Sequence, residues 1–372
     1  MAIKQAIMGC IAALVSTMAV PAIAKPVTDC PLRDMPFSAA TPLIDILLSP
    51  AARGVLDKAV PGRFDKLPPQ FAGTTPPTFA AILALREAAG FLQIKPDTLA
   101  TIEAELKALP VTAADKVARC ARYDNDMPTF TLPTGRPRLL LFEKINGFRD
   151  VPSVNAAREA LLAMAKRKGW SMVVTDKGGA INPATLRKFD AVIWNNISGD
   201  VLTLSQRRAL QDYLGRGGGF VGMHGSAGDP VYFWDWYADT LIGARFKGHP
   251  SKPQFQEARI AVNKAHPLAT ALPAEWRMTD EWYSFRTNPR TAGADVLLTL
   301  DESTYQPDGM MNQDLRMGDH PLAWTNCVGK GRMFYSAIGH VPETYSQPQH
   351  VALLESAIGW AANRRAACKT KG

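Results

Sequence analysis

The chain has 372 residues, with 42 Lys and Arg against 34 Asp and Glu, a formal charge of +8. At roughly 100–200 residues per domain, this length allows one large domain and a smaller one. The positive excess is spread along the chain with no block of five or six like charges, which argues against a nucleic-acid partner.

Lys4 supplies a positive start, and Ala6 to Val20 form an apolar run of about 15 residues, the usual length of a signal-peptide core. Pro21 breaks the run, and Ala22-Ile23-Ala24 offers the small-x-small pattern that a signal peptidase accepts. The run is shorter than the roughly 20 residues needed to cross a bilayer. Residues 1–24 therefore read as a signal peptide cleaved after Ala24, and the mature chain is expected to be periplasmic or secreted, without membrane attachment. Cys10 lies in the discarded segment. Of the other cysteines, Cys30 and Cys120 flank the N-terminal region, and a bridge between them is expected in an oxidising compartment. Four cysteines permit three connectivities, and Cys327 and Cys368 stay open.

Residues 25–123 read as a small all-helical module. Leu43, Ile46 and Leu47 recur at helical spacing up to Ser49-Pro50, and Leu56 and Val60 continue the pattern. After a Pro-rich loop from Leu67 to Pro77, the pattern predicts helices over Thr78 to Leu92 and Thr98 to Leu109. No catalytic pattern occurs here, so a packing role, or one in binding a partner protein, is expected. Residues 124–137 form a polar, proline-punctuated linker.

The character of the chain changes at Arg138. Short apolar runs at Arg138–Phe142, Trp170–Val174, Ala191–Trp194 and Phe220–Met223 are strands of the kind buried in parallel sheets. Helical segments separate them: one carries Val154, Ala157, Leu161 and Met164 on one face, one opens at Asn182-Pro183, and one follows the capping-box pattern Thr203 to Gln206. Strands and helices in this alternation mean βαβ units and a parallel sheet covered on both faces. Beyond His249 the order is irregular, with strands near Ala258–Val262 and Asp295–Leu300. A hairpin then pairs Leu322–Asn326 with Met333–Ala337, and a last amphipathic helix spans His350 to Ala361. The α/β domain spans 138–363, and 364–372 are a tail.

Seven segments carry a resemblance: Lys144 to Arg149, Gly217 to His224, His266 to Pro273, Trp276 to Phe285, Leu297 to Tyr305, Asp319 to Trp324 and Gly331 to His340. In this order they resemble the ThuA-like, or trehalose-utilisation, proteins over about Arg138 to Ala362. The resemblance implies a doubly wound, mainly parallel α/β sheet of flavodoxin-like kind, similar to class I glutamine amidotransferases. It also implies a link to disaccharide metabolism, but it does not supply a reaction. The chain departs from the pattern at Asp150, where many relatives carry His.

Where an amidotransferase presents its cysteine at a strand-to-helix elbow, this chain reads Gly222-Met223-His224-Gly225-Ser226, and imidazole cannot do the thiolate chemistry of glutamine hydrolysis. Ligands of open α/β sheets bind outside the carboxyl ends of the strands. His224 ends the fourth strand and His340 follows the last hairpin strand. His249, His320 and the Asp280-Glu281 pair lie in the insertions that would cover that edge. His224, Glu281 and His340 are therefore the candidate catalytic groups. A divalent metal ion is the candidate cofactor, with His224, His320 and His340 as its candidate ligands and Asp319 orienting His320. His266, before a proline, reads as a turn residue. Flat rings beside carboxylates suit a sugar, so Trp236, Trp282 and Tyr283 are candidate substrate contacts together with Arg149, Asn196, Asp200 and Asp280. The expectation is an enzyme acting on a small glycoside, such as an oxidised disaccharide; the alternative is a non-catalytic sugar-binding or scaffolding protein.

Overall fold

The computed structural model describes residues 26–365 and Cys368, so the segment read as a signal peptide lies outside the described residues. Among the described residues no helix is long and apolar enough to cross a membrane.

The N-terminal region contains α1 (Leu43–Leu48), α2 (Pro50–Ala59), α3 (Pro69–Ala72), α4 (Leu85–Ala88), α5 (Pro96–Lys107) and α6 (Ala113–Cys120). Its own apolar core gathers Phe37, Leu43, Ile46, Leu56, Leu85, Ile102 and Leu106. The expected continuous helix over Thr78 to Leu92 does not form. The Leu43 amide bonds to the Leu83 carbonyl, and the Leu85 and Arg86 amides bond to the carbonyls of Thr41 and Ala39. This holds Ala84 extended and leaves only the short α4 beyond it. Pairing between distant backbone segments outweighs a weak local helical preference here.

Cys30 and Cys120 are joined by a disulfide, as are Cys327 and Cys368. Beside the first bridge, Arg119 donates to the carbonyls of Leu32, Arg33 and Met35. Arg122 forms a buried bidentate pair with Asp45. A buried guanidinium tolerates desolvation only with such partners, so the pair fixes α1 against the end of α6.

The second region alternates β1 (Arg138–Phe142), α7 (Val151–Lys168), β2 (Ser171–Thr175), α8 (Pro183–Leu186), β3 (Ala191–Asn195), α9 (Leu204–Gly215) and β4 (Gly219–Met223). Asn182 caps α8 through the amides of Ala184 and Thr185, and Thr203 with Gln206 closes a full capping box on α9. Then come β5 (Phe246–Gly248), β6 (Phe255–Val262), β7 (Glu275–Glu281), β8 (Ser284–Phe285), β9 (Asp295–Leu300), β10 (Pro321–Val328), β11 (Gly331–Ser336) and α10 (Pro348–Ala361).

The central sheet has nine strands in the order β2-β1-β3-β4-β11-β10-β9-β6-β7. The first five are mutually parallel, an order matching the doubly wound flavodoxin-like pattern with β11 in fifth place. The last four add antiparallel pairs. β1, β3 and β4 are buried on both faces, which explains their unbroken apolar runs. The strand β7 escaped the sequence reading. Its burial alternates, with Trp276 and Met278 inward and Arg277 and Thr279 outward, a short edge pattern inside a polar stretch.

The N-terminal module sits over the carboxyl ends of the parallel strands. The Tyr123 hydroxyl donates to Asp200 at 2.8 Å, and Asn146 donates to the carbonyls of Arg122 and Asp200. The Thr78 amide bonds to the Asn146 carbonyl, and Lys144 pairs with Asp124. The edge at which open α/β sheets bind ligands is thereby roofed by the module.

Candidate functional site

β4 ends at Met223, and the chain turns sharply at His224, whose φ of 35° is a strained value for a residue with a side chain. The turn aims the imidazole across the sheet edge. Its Nδ1 lies 2.7 Å from the Ala337 carbonyl, so Nδ1 carries the proton and Nε2 offers a lone pair. The Tyr335 hydroxyl donates to the His224 carbonyl, and the Tyr283 ring stacks on the imidazole with centroids 4.1 Å apart.

His340 arrives from the neighbouring strand β11. Between them Gly339 takes a φ of 143°, and a Cβ there would collide with the Tyr345 hydroxyl. Asp280, at the end of β7, fixes this turn from behind. One of its oxygens accepts from the amides of His340 and Val341, and the other from the Gly339 amide and the Thr344 hydroxyl.

Glu281 points the opposite way from Asp280, as alternation along a strand requires. Its Oε2 lies 3.0 Å from His340 Nδ1 and 3.4 Å from His224 Nε2, and the two ring nitrogens are 3.3 Å apart. Gln254 donates to the other oxygen, Oε1, and His249 Nδ1 lies 3.2 Å from it. Burial alone would raise the Glu281 pKa, but the imidazoles of His224, His340 and His249 around it hold the carboxyl well below the usual carboxylate range. Burial disfavours a charged His340. The bond to Glu281, with the fields of Glu281, Asp150 and Asp280, overcomes this and raises its pKa.

The three groups stand at the base of a cleft of about 660 Å³. Asn196, Tyr283, His249 and Asp150 line its polar end, and Asn196 is held by bonds to the Tyr345 hydroxyl and to the Gly225 amide. The opposite wall is apolar and comes largely from the N-terminal module: Phe71, Phe79, Ile82, Leu83 and Phe91. Rings run from this wall to the centre, Phe71 on Phe79 at 4.9 Å, Phe79 on Phe148 at 5.2 Å, and Phe148 beside His340 at 6.0 Å. Glu87 also lines the cleft, with an oxygen that has no hydrogen-bond partner among the described residues and a pKa raised by burial. Behind Asn196, burial pushes Asp229 up to about 7, against bonds from Ser198 and the Gly199 amide.

The profile of a family described as trehalose utilisation, ThuA, matches residues 138–361. The chain belongs to the ThuA family. The match covers the α/β region and leaves the N-terminal module outside. A solved ThuA-like protein from Bacteroides uniformis superposes with a TM-score of 0.52 at 24% identity, over 63% of this chain and 95% of that one. A ThuA-like protein from Parabacteroides merdae gives 0.45 at 20%, over 62% and 92%. Comparison with curated proteins finds no match. The first of these structures shares the fold, and the family is linked to trehalose utilisation.

Within this ThuA-family chain, the structure brings together His224, Glu281 and His340, and sets Tyr283 and Asn196 beside them. Other residues expected at the site lie elsewhere. His320 is not a ligand of the cluster: its Nδ1 is 2.8 Å from Glu302 and its Nε2 2.8 Å from the Tyr283 carbonyl, so both nitrogens are occupied. Glu302, not Asp319, orients it, since Asp319 pairs with Arg290. Asp280 is fully buried and saturated by the His340 turn, so it positions that turn instead of meeting a substrate. Asp200 is held between Tyr123 and Arg207 and serves to dock the module. Trp282 is fully buried with its indole N–H on the Gln256 carbonyl, a core residue. Trp236 stacks on Trp234 away from the cleft, and Arg149 is exposed and does not line it. His266 is buried at the start of a short helical turn, bonded to Thr325.

Phe79, Phe148, Glu87 and Asp229 went unselected by the sequence reading. No spacing signals them: Phe79 and Glu87 reach the cleft because the module docks over it, and Phe148 and Asp229 sit in the irregular loops after β1 and β4.

Proposed function

We propose that this chain is an exported enzyme acting on a small glycoside, with His224, Glu281 and His340 as the reacting centre. The observation that carries this reading is the convergence of two imidazole nitrogens and a carboxylate oxygen at the base of a cleft that is polar at one end and lined by rings at the other. The polar end, with Asn196, Asp150 and His249, suits sugar hydroxyls. The ring wall suits the apolar face of a second sugar or an aglycone. Such a centre can polarise, or exchange a proton with, a sugar or water oxygen placed against it from the cleft, which is what glycoside cleavage or elimination needs. The family link to trehalose utilisation supports a disaccharide or a derivative of one. Glutamine hydrolysis lacks its nucleophile. Export is supported by the pattern from Lys4 to Ala24 and by two disulfides.

The test is a screen of mature protein against trehalose, other disaccharides, their keto derivatives and aryl glycosides, with products followed by mass spectrometry. Turnover of a glycoside that disappears in His224→Ala, with thermal stability kept, is the expected result. Tight sugar binding without turnover would instead make the chain a binding protein, and turnover surviving in His224→Ala would remove the assigned centre.

A further inference from the structure

Three ligand-type atoms meet in the same small volume: His224 Nε2, His340 Nδ1 and Glu281 Oε2, separated by 3.0, 3.3 and 3.4 Å. Zinc bonds to imidazole nitrogen and carboxylate oxygen are about 2.0–2.2 Å long, which places tetrahedral ligand atoms about 3.3–3.5 Å apart. The observed triangle is close to one face of such a tetrahedron. Two imidazoles and one glutamate are also a donor set of catalytic zinc sites, in which the fourth position stays open for water or substrate.

The surroundings fit a metal ligand shell as well as the triangle does. A ligating imidazole usually donates its other N–H to a carbonyl or carboxylate, which fixes the ring and its tautomer. His224 does this to the Ala337 carbonyl at 2.7 Å, leaving Nε2 free for a cation. His340 turns Nδ1 to the centre and has Asp150 3.9 Å from its Nε2. Glu281 keeps Oε1 on Gln254 and His249, so Oε2 alone faces the two rings. The backbone of His340 is locked by three amide bonds to Asp280. All three residues line the cleft, which leaves the fourth vertex of the tetrahedron open to it.

We infer that His224, His340 and Glu281 form a three-ligand site for a divalent transition metal, zinc being the best match, with its open position facing the cleft. His320, whose two nitrogens are engaged elsewhere, takes no part. A metal there would present a Lewis acid to a sugar oxygen or to water at the end of the cleft where the proposed chemistry takes place. The inference deepens the functional reading but is measured without any sugar.

Untagged mature protein is stripped with chelator, dialysed and titrated with zinc by calorimetry near neutral pH, and also loaded with cobalt(II) for visible spectroscopy. The expected result is one zinc per chain, at least about 100-fold weaker binding in both His224→Ala and His340→Ala with circular dichroism unchanged, and a cobalt spectrum of a four-coordinate nitrogen and oxygen site. The cobalt spectrum of the unaltered protein stands even where a variant fails to fold. Absence of stoichiometric zinc in the unaltered protein, or equal binding by a folded His224→Ala variant, overturns the site. Glycoside turnover by protein that takes up no zinc would overturn the metal while sparing the functional reading. Stoichiometric zinc without turnover of any glycoside would do the reverse.

Discussion

Replacing Asp280 by Asn tests whether one buried carboxylate holds the His340 turn in place. In the native chain one carboxylate oxygen accepts from the amides of Glu281, His340 and Val341 at 2.8–3.1 Å, and the other from the Gly339 amide at 2.7 Å and the Thr344 hydroxyl. Asn keeps one acceptor oxygen but puts an NH₂ where the second stood. Thr344 can rotate and accept from it. The Gly339 amide cannot, and becomes a buried donor facing a donor. That orphan costs about 1–3 kcal/mol, and the loss of charge assistance in the remaining bonds brings the total to about 2–4 kcal/mol. For a domain of this size the melting temperature should fall by about 5–10 °C. Asp280→Ala, which removes every acceptor, should fall further. Differential scanning calorimetry reads the first effect. Hydrogen exchange at the Gly339, His340 and Val341 amides reads the second, and should quicken far more than exchange in β1 or β3. An Asn variant that melts within a degree of the native protein, with exchange at those amides unchanged, would refute the assigned role of Asp280.

In the N-terminal module, Asp45→Ala strands the guanidinium of Arg122 in a buried position, and unfolding should require about 3–5 kcal/mol less, read by urea denaturation at fixed pH. Burial lowers the pKa of His350 to about 4, so the folded state resists its protonation while the unfolded chain takes up a proton near 6.5. Stability from this residue is therefore complete above pH 6.5 and lost as the pH falls towards 4. The loss is on the order of 3 kcal/mol, and His350→Leu should show a shallower decline over that window. Phe79→Ala removes the middle ring of the apolar wall and should weaken binding of an aryl glycoside about tenfold, while leaving zinc titration unchanged; unaltered glycoside affinity by calorimetry would remove the wall from the binding site.

The order of strands and helices from Arg138 to Met223 was legible because each element there satisfies its own local rule. β1, β3 and β4 are short apolar runs, and α8 and α9 open on Asn182 and Thr203 caps. His224 and His340 were legible as candidates because they follow the ends of the neighbouring parallel strands β4 and β11, where side chains converge. His320 misled for the complementary reason. A histidine in an insertion finds its partners in the folded chain, and those partners, Glu302 and the Tyr283 carbonyl, lie 18 and 37 residues away. Alternation along β7 sends Glu281 to the centre and Asp280 behind the His340 turn, a division invisible until the strand itself is seen. The helix expected over Thr78 to Leu92 fails because Ala39 to Leu43 compete for its backbone.

The cleft is written in two separate stretches of chain. Its imidazoles and carboxylate belong to residues 138–361, the span shared with the family, whereas Phe71, Phe79 and Phe91 belong to a docked module upstream of that span. Substitution in the module therefore alters the shape and greasiness of the chamber without touching the strand ends that aim the imidazoles and the carboxylate. On the proposed reading, preference for one molecule over another can drift in one part of the chain while the reacting centre is held still in the other.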